Sequence, residues 1–348
     1  IGAGAIGSLV GGKLALAGET VTFAGRPAFA AIVQQRGLQL EDEAGIHRIE
    51  DLCAATSIAD AFAHSAPFDI AVMTVKSYDT LAAMSECAAV AATHNRALPI
   101  FLSLQNGVGN ESMIAQTVGE NRVIAGTITT PVSSPALGTI RVDRPQYGLG
   151  LGEPMRGGAI ERCDEFAVAL ERAGFAVTRY ADAQGMKWTK LLMNMVGNAT
   201  CAILSAPPEE VFAQDEIVDL EIEAWREALR VMAQADITPQ NVGSYPFRVL
   251  APGIRVAPKS LLRAILRRQI GGARGGKMPS LYLDLASGKE KSEVPWLNGA
   301  VVDLGREVGV AAPVNACLTD TLLGLVANPA RRAVWAENYT RLAACAAP

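Results

Sequence analysis

Lys190, Asn194 and Asn198 are three polar side chains at intervals of four in a run whose other members, Leu191, Leu192, Met193, Met195 and Val196, are apolar. On a helix, positions four apart advance about 400°, so the three share one stripe about 12 Å long. An ammonium or amide left unpaired in a core loses several kcal/mol, so such a stripe either meets other polar groups of the protein or lines a ligand cavity. A lysine in a cavity can stabilise negative charge building on a carbonyl oxygen and then donate its proton. Spacing alone leaves both readings open.

A second candidate lies at the start of the chain. Ile1-Gly-Ala-Gly-Ala-Ile-Gly7 has the glycine spacing with which a strand turns into a helix while backbone amides close on a dinucleotide pyrophosphate. Gly2 would permit the tight turn, and Gly4 would leave room for the phosphate. Gly7 would let a helix starting near Ala5 and Ile6 pack against the sheet. The alternative is a glycine-rich turn of purely structural use. Ser8 to Ala17 reads as an amphipathic helix and Glu19 to Ala24 as the next strand, completing a β-α-β unit. Only Ile1 precedes the turn, so the natural chain is expected to begin a few residues earlier. The second strand ends Phe23-Ala-Gly-Arg26, with no carboxylate to accept from ribose hydroxyls. Arg26 instead offers a fork suited to a 2′-phosphate, which favours NADP(H) over NAD; otherwise it is a surface arginine.

The elements that must position these residues follow from the hydrophobic pattern. Asp69 to Val75 and Pro99 to Leu104 are short apolar runs expected to form buried parallel strands, each followed by a polar loop, Lys76 to Asp79 and Gln105 to Gly109. Strands are expected at Val123 to Thr130, Thr139 to Asp143 and Tyr147 to Leu151. A helix should follow from about Ala159 to Ala173, then a strand near Ala176 to Tyr180. From Ala183 the pattern becomes helical, most clearly at Glu216 to Ala235 and Pro295 to Val308. The fold class is therefore α/β: a Rossmann-type dinucleotide-binding domain over residues 1–182 and an all-α domain over 183–348. Residues 241–277 carry Arg248, Arg255, Lys259, Arg263, Arg267, Arg268, Arg274 and Lys277 and no acid. That segment is either a solvated or interface-facing basic surface or a funnel for an anionic ligand.

Composition narrows the class. The chain has 348 residues, half of them apolar, and a net charge of -4, enough for a substantial core and no general attraction to nucleic acid or an anionic membrane. The six cysteines form no C-x-x-C pair, which fits buried thiols in a reducing cytoplasm better than a disulfide frame. His47, His64 and His94 share no metal-ligand spacing, and no metal site is expected.

In the order and spacing of its motifs the chain resembles the ketopantoate reductase (2-dehydropantoate 2-reductase) family. The resemblance rests on the opening glycine turn, the Val75-Lys76 strand end, Gln105-Asn106-Gly107, and Trp188-Thr-Lys190-Leu with Asn194 and Asn198. It also takes in Ser280 four before Asp284, and Ser292-Glu293 five before Asn298-Gly299. It implies a cytoplasmic enzyme of pantothenate biosynthesis, a monomer or homodimer, that reduces a 2-keto acid with NADPH. Lys190 would be the catalytic lysine and Glu293 the glutamate that works with it and with a substrate hydroxyl. Asn194, Asn198 and Ser280 match substrate-binding positions, and Lys76 and Asn106 positions beside the nicotinamide ribose and the substrate. Two departures stand out. Nine steps separate Asp284 from Glu293 where the family usually has eight, and Ser292 replaces a threonine, which leaves Glu290 as a competitor. Other readings keep the fold: a reductase of another keto acid or of an imine, as in opine-type dehydrogenases, or a non-catalytic NADP sensor.

Overall fold

The computed structural model describes residues 1–65, 67–152, 160–273 and 278–346. The chain divides into two compact units, one of Ile1–Gln105 with Gly109–Lys187, the other of Asn106–Val108 with the chain from Trp188 onward. The division thus lies a few residues beyond position 182, and a tripeptide from the loop after Gln105 groups with the second unit.

The first unit runs α1 (Ala5–Leu16), β1 (Thr22–Ala24), α2 (Pro27–Arg36), β2 (Leu38–Asp42), β3 (Gly45–Ile49), β4 (Cys53–Ala55), α3 (Ile58–His64), β5 (Ile70–Met73), α4 (Thr80–Thr93), β6 (Ile100–Ser103) and α5 (Asn110–Val118). It continues with β7 (Val123–Ile128), β8 (Val132–Ala136), β9 (Thr139–Val142), β10 (Gly148–Gly152), α6 (Ile160–Arg172) and β11 (Ala176–Tyr180). Strands β5, β6 and β7 are parallel, β10 joins β7 antiparallel, and β11 lies parallel to β10, giving the order β11-β10-β7-β6-β5. Every residue of β6 and β7 is buried, as their unbroken apolar runs require. Beside this sheet stand a parallel pair β1-β4 and a four-stranded sheet β3-β2-β9-β8. The backbone of Ile1 and Gly2 bridges two of these layers: Thr74 N donates to Ile1 O at 2.9 Å, and Gly2 N to Ala24 O at 3.0 Å.

Helix α1 differs from the expected amphipathic helix. Ser8, Leu9, Val10, Gly11, Gly12 and Leu14 are all buried. A Cβ on Gly11 would meet the Phe23 ring of β1, and one on Gly12 would meet Leu38 of β2 and Ile49 of β3. The helix is enclosed on more than one side, so it has no continuous polar face.

The second unit is helical: most of α7 (Ala183–Met195), then α8 (Asn198–Leu204), α9 (Pro208–Val211), α10 (Asp215–Gln234), α11 (Phe247–Val256), α12 (Lys259–Ala273), α13 (Ser280–Ala286), α14 (Asn298–Val308), α15 (Pro313–Ala327) and the short α16 (Arg332–Trp335) and α17 (Tyr339–Ala343). Helix α10 is the axis, packed by α11, α12, α14 and α15. Its buried stripe includes Ile217, Leu220, Ala224, Ala228 and Val231. Buried Glu227 on this stripe caps α15, accepting from Val314 N and Asn315 N at 2.9 Å each and from Asn315 Nδ2 at 2.7 Å. Burial pushes its carboxyl above the ordinary range even against those donors.

The cysteines correct the expectation of six thiols. Cys317 of α15 and Cys345 near the C-terminal end form a disulfide, whereas Cys53, Cys87, Cys163 and Cys201 remain thiols, the last three buried. Among the described residues no helix is long and apolar enough to cross a membrane, and no cluster of His, Cys, Asp and Glu is disposed to hold a metal ion.

Candidate functional site

In the first unit, the glycine turn has three glycines with three different reasons to be glycine. Gly2 has φ +95°, and a Cβ there would fall 2.6 Å from Val75 N. A Cβ on Gly7 would fall 2.3 Å from Gly2 O and 2.5 Å from Thr74 Oγ1, so close packing excludes it. Gly4 is exposed, and a Cβ there would meet nothing within 4 Å. Nothing inside the protein therefore demands glycine at position 4; its effect is to keep clear the space beside the start of α1. The first-turn amides of that helix, Ala5, Ile6 and Gly7, have no intrahelical acceptor, which makes the turn fit an anionic pyrophosphate. Exposed Arg26 directly precedes α2 two residues beyond the end of β1, and half-buried Lys76 follows β5 by three. Arg26 and Lys76 thus follow the carboxyl ends of β1 and β5, where open α/β sheets bind ligands, and the glycine turn, which no strand precedes in the structure, is hydrogen-bonded to Ala24 and Thr74 at those same two ends.

In the second unit the polar residues of α7 and its neighbours form a hydrogen-bonded chain. Asn194 Nδ2 donates to Asn106 Oδ1 at 3.0 Å. Asn198 Nδ2 donates to Asn194 O at 3.1 Å and lies 3.4 Å from Ser280 Oγ, and Asn198 Oδ1 accepts from Leu281 N at 2.9 Å. The single stripe expected from the spacing is broken here. Helix α7 ends at Met195, Gly197 takes the left-handed conformation with φ 66°, and Asn198 opens a new helix. The carboxamide of Asn198, buried at 6 % exposure, joins the last turn of α7 to the first turn of α13 and does not project alongside Lys190. Lys190, half-buried, and Asn194 remain one turn apart on the same face of α7.

Asn106 owes its place to the loop around it. Val108 N donates to Trp296 O at 3.1 Å, and a Cβ on Gly107 would collide with that carbonyl at 2.4 Å, so the loop lies directly against the residues that follow Glu293. Glu293 itself is 4 % exposed, and Glu290 is exposed. The two glutamates that sequence spacing left in competition thus differ in burial.

Two positioning residues were not read from the sequence. Thr74 donates its hydroxyl to Gly2 O at 2.6 Å and lies 3.0 Å from Ile1 O, fixing the glycine turn from the end of β5. Lys187 is buried, donates to Gln105 O at 2.8 Å and pairs with buried Glu111 at 3.0 Å, which holds the residue where the Asn106 loop leaves the first unit. Both carry ordinary residue types at strand or helix ends and give no periodic signal. The break at Gly197 did carry one, since glycine just after an apolar helical run is a common helix stop.

A Rossmann-like unit with an open glycine turn, in a chain whose helical unit holds a hydrogen-bonded run of asparagine and serine side chains, has the organisation of a nucleotide-dependent oxidoreductase. The model of the ketopantoate reductase PanE/ApbA family matches residues 1–153, and that of its C-terminal domain matches residues 182–325; the chain belongs to the ketopantoate reductase family. It is 30% identical to the 2-dehydropantoate 2-reductase of Halobacterium salinarum over 92% of this chain and 95% of that one. The enzyme of the same name from Pyrococcus horikoshii is 28% identical over 90% and 92%. Among solved structures, the PanE/ApbA family ketopantoate reductase from Ralstonia eutropha superposes with a TM-score of 0.76 at 25% identity, covering 94% of this chain and 97% of that one.

Proposed function

We propose that this protein reduces the keto group of 2-dehydropantoate to the hydroxyl of pantoate, with NADPH as the hydride donor. The reading is supported by the hydrogen-bonded chain of Asn106, Asn194, Asn198 and Ser280, with Lys190 one turn from Asn194 on α7 and Glu293 buried in the same unit, in a chain that matches the family along most of its length. The dinucleotide, when bound, supplies a hydride to the keto carbon. The Lys190 ammonium holds the keto oxygen, stabilises the charge that develops there and passes it a proton, so that one hydride and one proton yield the alcohol. Asn194 and Ser280 orient the keto acid, and Glu293 accepts from its hydroxyl and balances the lysine charge. Asn106 extends the same polar face, with its carbonyl already accepting from Asn194. Asn198 acts as a positioning residue through the two helices it joins.

Gly2, Gly4, Ala5, Ile6 and Gly7 form the pyrophosphate cradle, Lys76 adjoins the nicotinamide ribose, and Arg26 selects NADPH by meeting the 2′-phosphate. The domain roles follow: dinucleotide binding by the first unit, substrate binding by the second. A cytoplasmic setting is supported by the reduced dinucleotide the reaction consumes; the assembly is a monomer or homodimer, to be separated by sedimentation.

The test is NADPH oxidation with ketopantoate, wild type beside Lys190→Ala and Lys190→Arg. Both variants should lose turnover by about a hundredfold or more, arginine because its guanidinium gives up a proton too reluctantly, while substrate KM changes less in Lys190→Arg than in Lys190→Ala. A variant rate equal to wild type would remove lysine as the acid. Better kcat/KM on another 2-keto acid would overturn ketopantoate as the substrate.

A further inference from the structure

The basic stretch after residue 241 is not uniform in the structure. Arg263 is spent on Asp215 and Asp219, and Arg267 on Asp215 and the carbonyls of Phe212 and Ala213. These two fasten α12 to the start of α10 and to the turn before it. Arg274 and Lys277 lie outside the described residues. Arg248 and Arg255 behave differently: both are exposed, and among the described residues neither guanidinium has an ion pair or hydrogen bond.

These two arginines share one face of α11 with Ala251 and Pro252, at positions i, i+3, i+4 and i+7. That face lines a cavity of about 210 Å³ whose other wall is Leu229 and Ala233 of α10 and the segment Ile237-Thr-Pro239. The floor is apolar, since Leu229, Ile237 and Ala251 are each no more than 5 % exposed. Seven residues of helix place the two guanidinium stems about 10 Å apart along that floor. The feature is therefore a short apolar trough with two exposed arginines, two helical turns apart, along its α11 wall. Its volume lies below the range of drug-sized pockets, which restricts it to a small ligand.

We propose that this trough is a binding site for a small elongated dianion, an aliphatic chain carrying a carboxylate at each end, separate from the Lys190 cluster. The chain covers Leu229, Ile237, Ala251 and Pro252, and each carboxylate takes the fork of one arginine, a bidentate pairing that guanidinium geometry favours. A single inorganic anion does not span two cations at that separation, and a monocarboxylate leaves one end unmatched. The proposal does not depend on the reductase reading.

The test is calorimetric titration of the full-length protein with suberate, octanoate and sulfate, on wild type, Arg248→Gln, Arg255→Gln and Lys190→Ala. Suberate should bind wild type about tenfold more tightly than octanoate. Each arginine variant should bring suberate down to the octanoate level while its thermal midpoint without ligand stays unchanged. Lys190→Ala should bind suberate like wild type, which distinguishes this trough from the proposed keto acid site. Equal affinity for suberate and octanoate would overturn the proposal, as would wild-type affinity in both arginine variants. So would loss of binding in Lys190→Ala, sulfate binding as tight as suberate, or no heat from suberate up to about 10 mM.

Discussion

Gly4 and Gly7 sit three residues apart in one turn, and alanine should harm them for opposite reasons. Gly7→Ala forces a methyl against Gly2 O and Thr74 Oγ1, so the folded state is overpacked by about 1–3 kcal/mol and the melting temperature falls before any cofactor is considered. Gly4→Ala meets no protein atom, so the midpoint should hold while KM for NADPH rises about tenfold. Thermal melts and cofactor kinetics on the two variants check this directly; a Gly4→Ala enzyme with normal KM would mean that no phosphate comes close at that position. Arg26→Glu should move the NADPH to NADH preference by at least about tenfold, read as the ratio of kcat/KM values. At this scale the sequence was informative wherever a residue type has few uses. Glycines at fixed offsets and a lysine among apolar residues announce themselves. Thr74 does not, because a hydroxyl that braces backbone looks like any other; Asn198 stands out by spacing, but only the fold reveals that its amide meets the Asn194 carbonyl and Leu281 N.

Among the elements, legibility followed the number of buried sides. Helix α10 has one apolar stripe, and its period marks both ends to within a residue. Helix α1 is covered by β1 on one side and by β2 and β3 on another, so a periodic reading misjudges its character while still finding its position. Strand β8 is the reverse case: Ser134, Pro135 and Ala136 are exposed, and pairing with β9 alone makes it a strand. The clamp between α10 and α12 lends itself to measurement. The Arg263 fork beside Asp219 holds its carboxyl below the ordinary value of 3.8. Because the folded value is the lower one, the pair's contribution is complete above the unfolded value and drains away as pH falls through the depressed one. Both side chains are partly exposed, so solvent screens the pair and its contribution is small. Arg263→Gln should lower stability slightly at neutral pH, and the difference from wild type should vanish once the pH has fallen through the depressed Asp219 value. A difference that persisted in acid would mean that the arginine works through Asp215 and backbone packing instead.

For the whole molecule, the Cys317–Cys345 bond and a cytoplasmic setting pull in different directions, since reducing compartments keep most thiols free. Thiol titration of the unfolded, unreduced protein should count four, and six would mean that the pair is open in the cell that made it. Closing the loop between the two cysteines, 28 positions apart, contributes up to about 3.5 kcal/mol on the chain-entropy account. Reductant should therefore lower the melting temperature by several degrees. Reduction should leave kcat unchanged, because none of the residues assigned to chemistry lies on α15 or beyond.

The tripeptide Asn106–Val108 has a consequence for how this protein can be taken apart. It is coded within the first half of the chain yet completes the second: Val108 N donates to the Trp296 carbonyl, and Asn106 Oδ1 accepts from the Asn194 amide. A gene cut at the helix that opens the second half would release a fragment missing part of its own polar face. Swapping halves between relatives would graft a foreign Asn106 loop onto the recipient, so specificity in such chimaeras should be inherited from both parents at once.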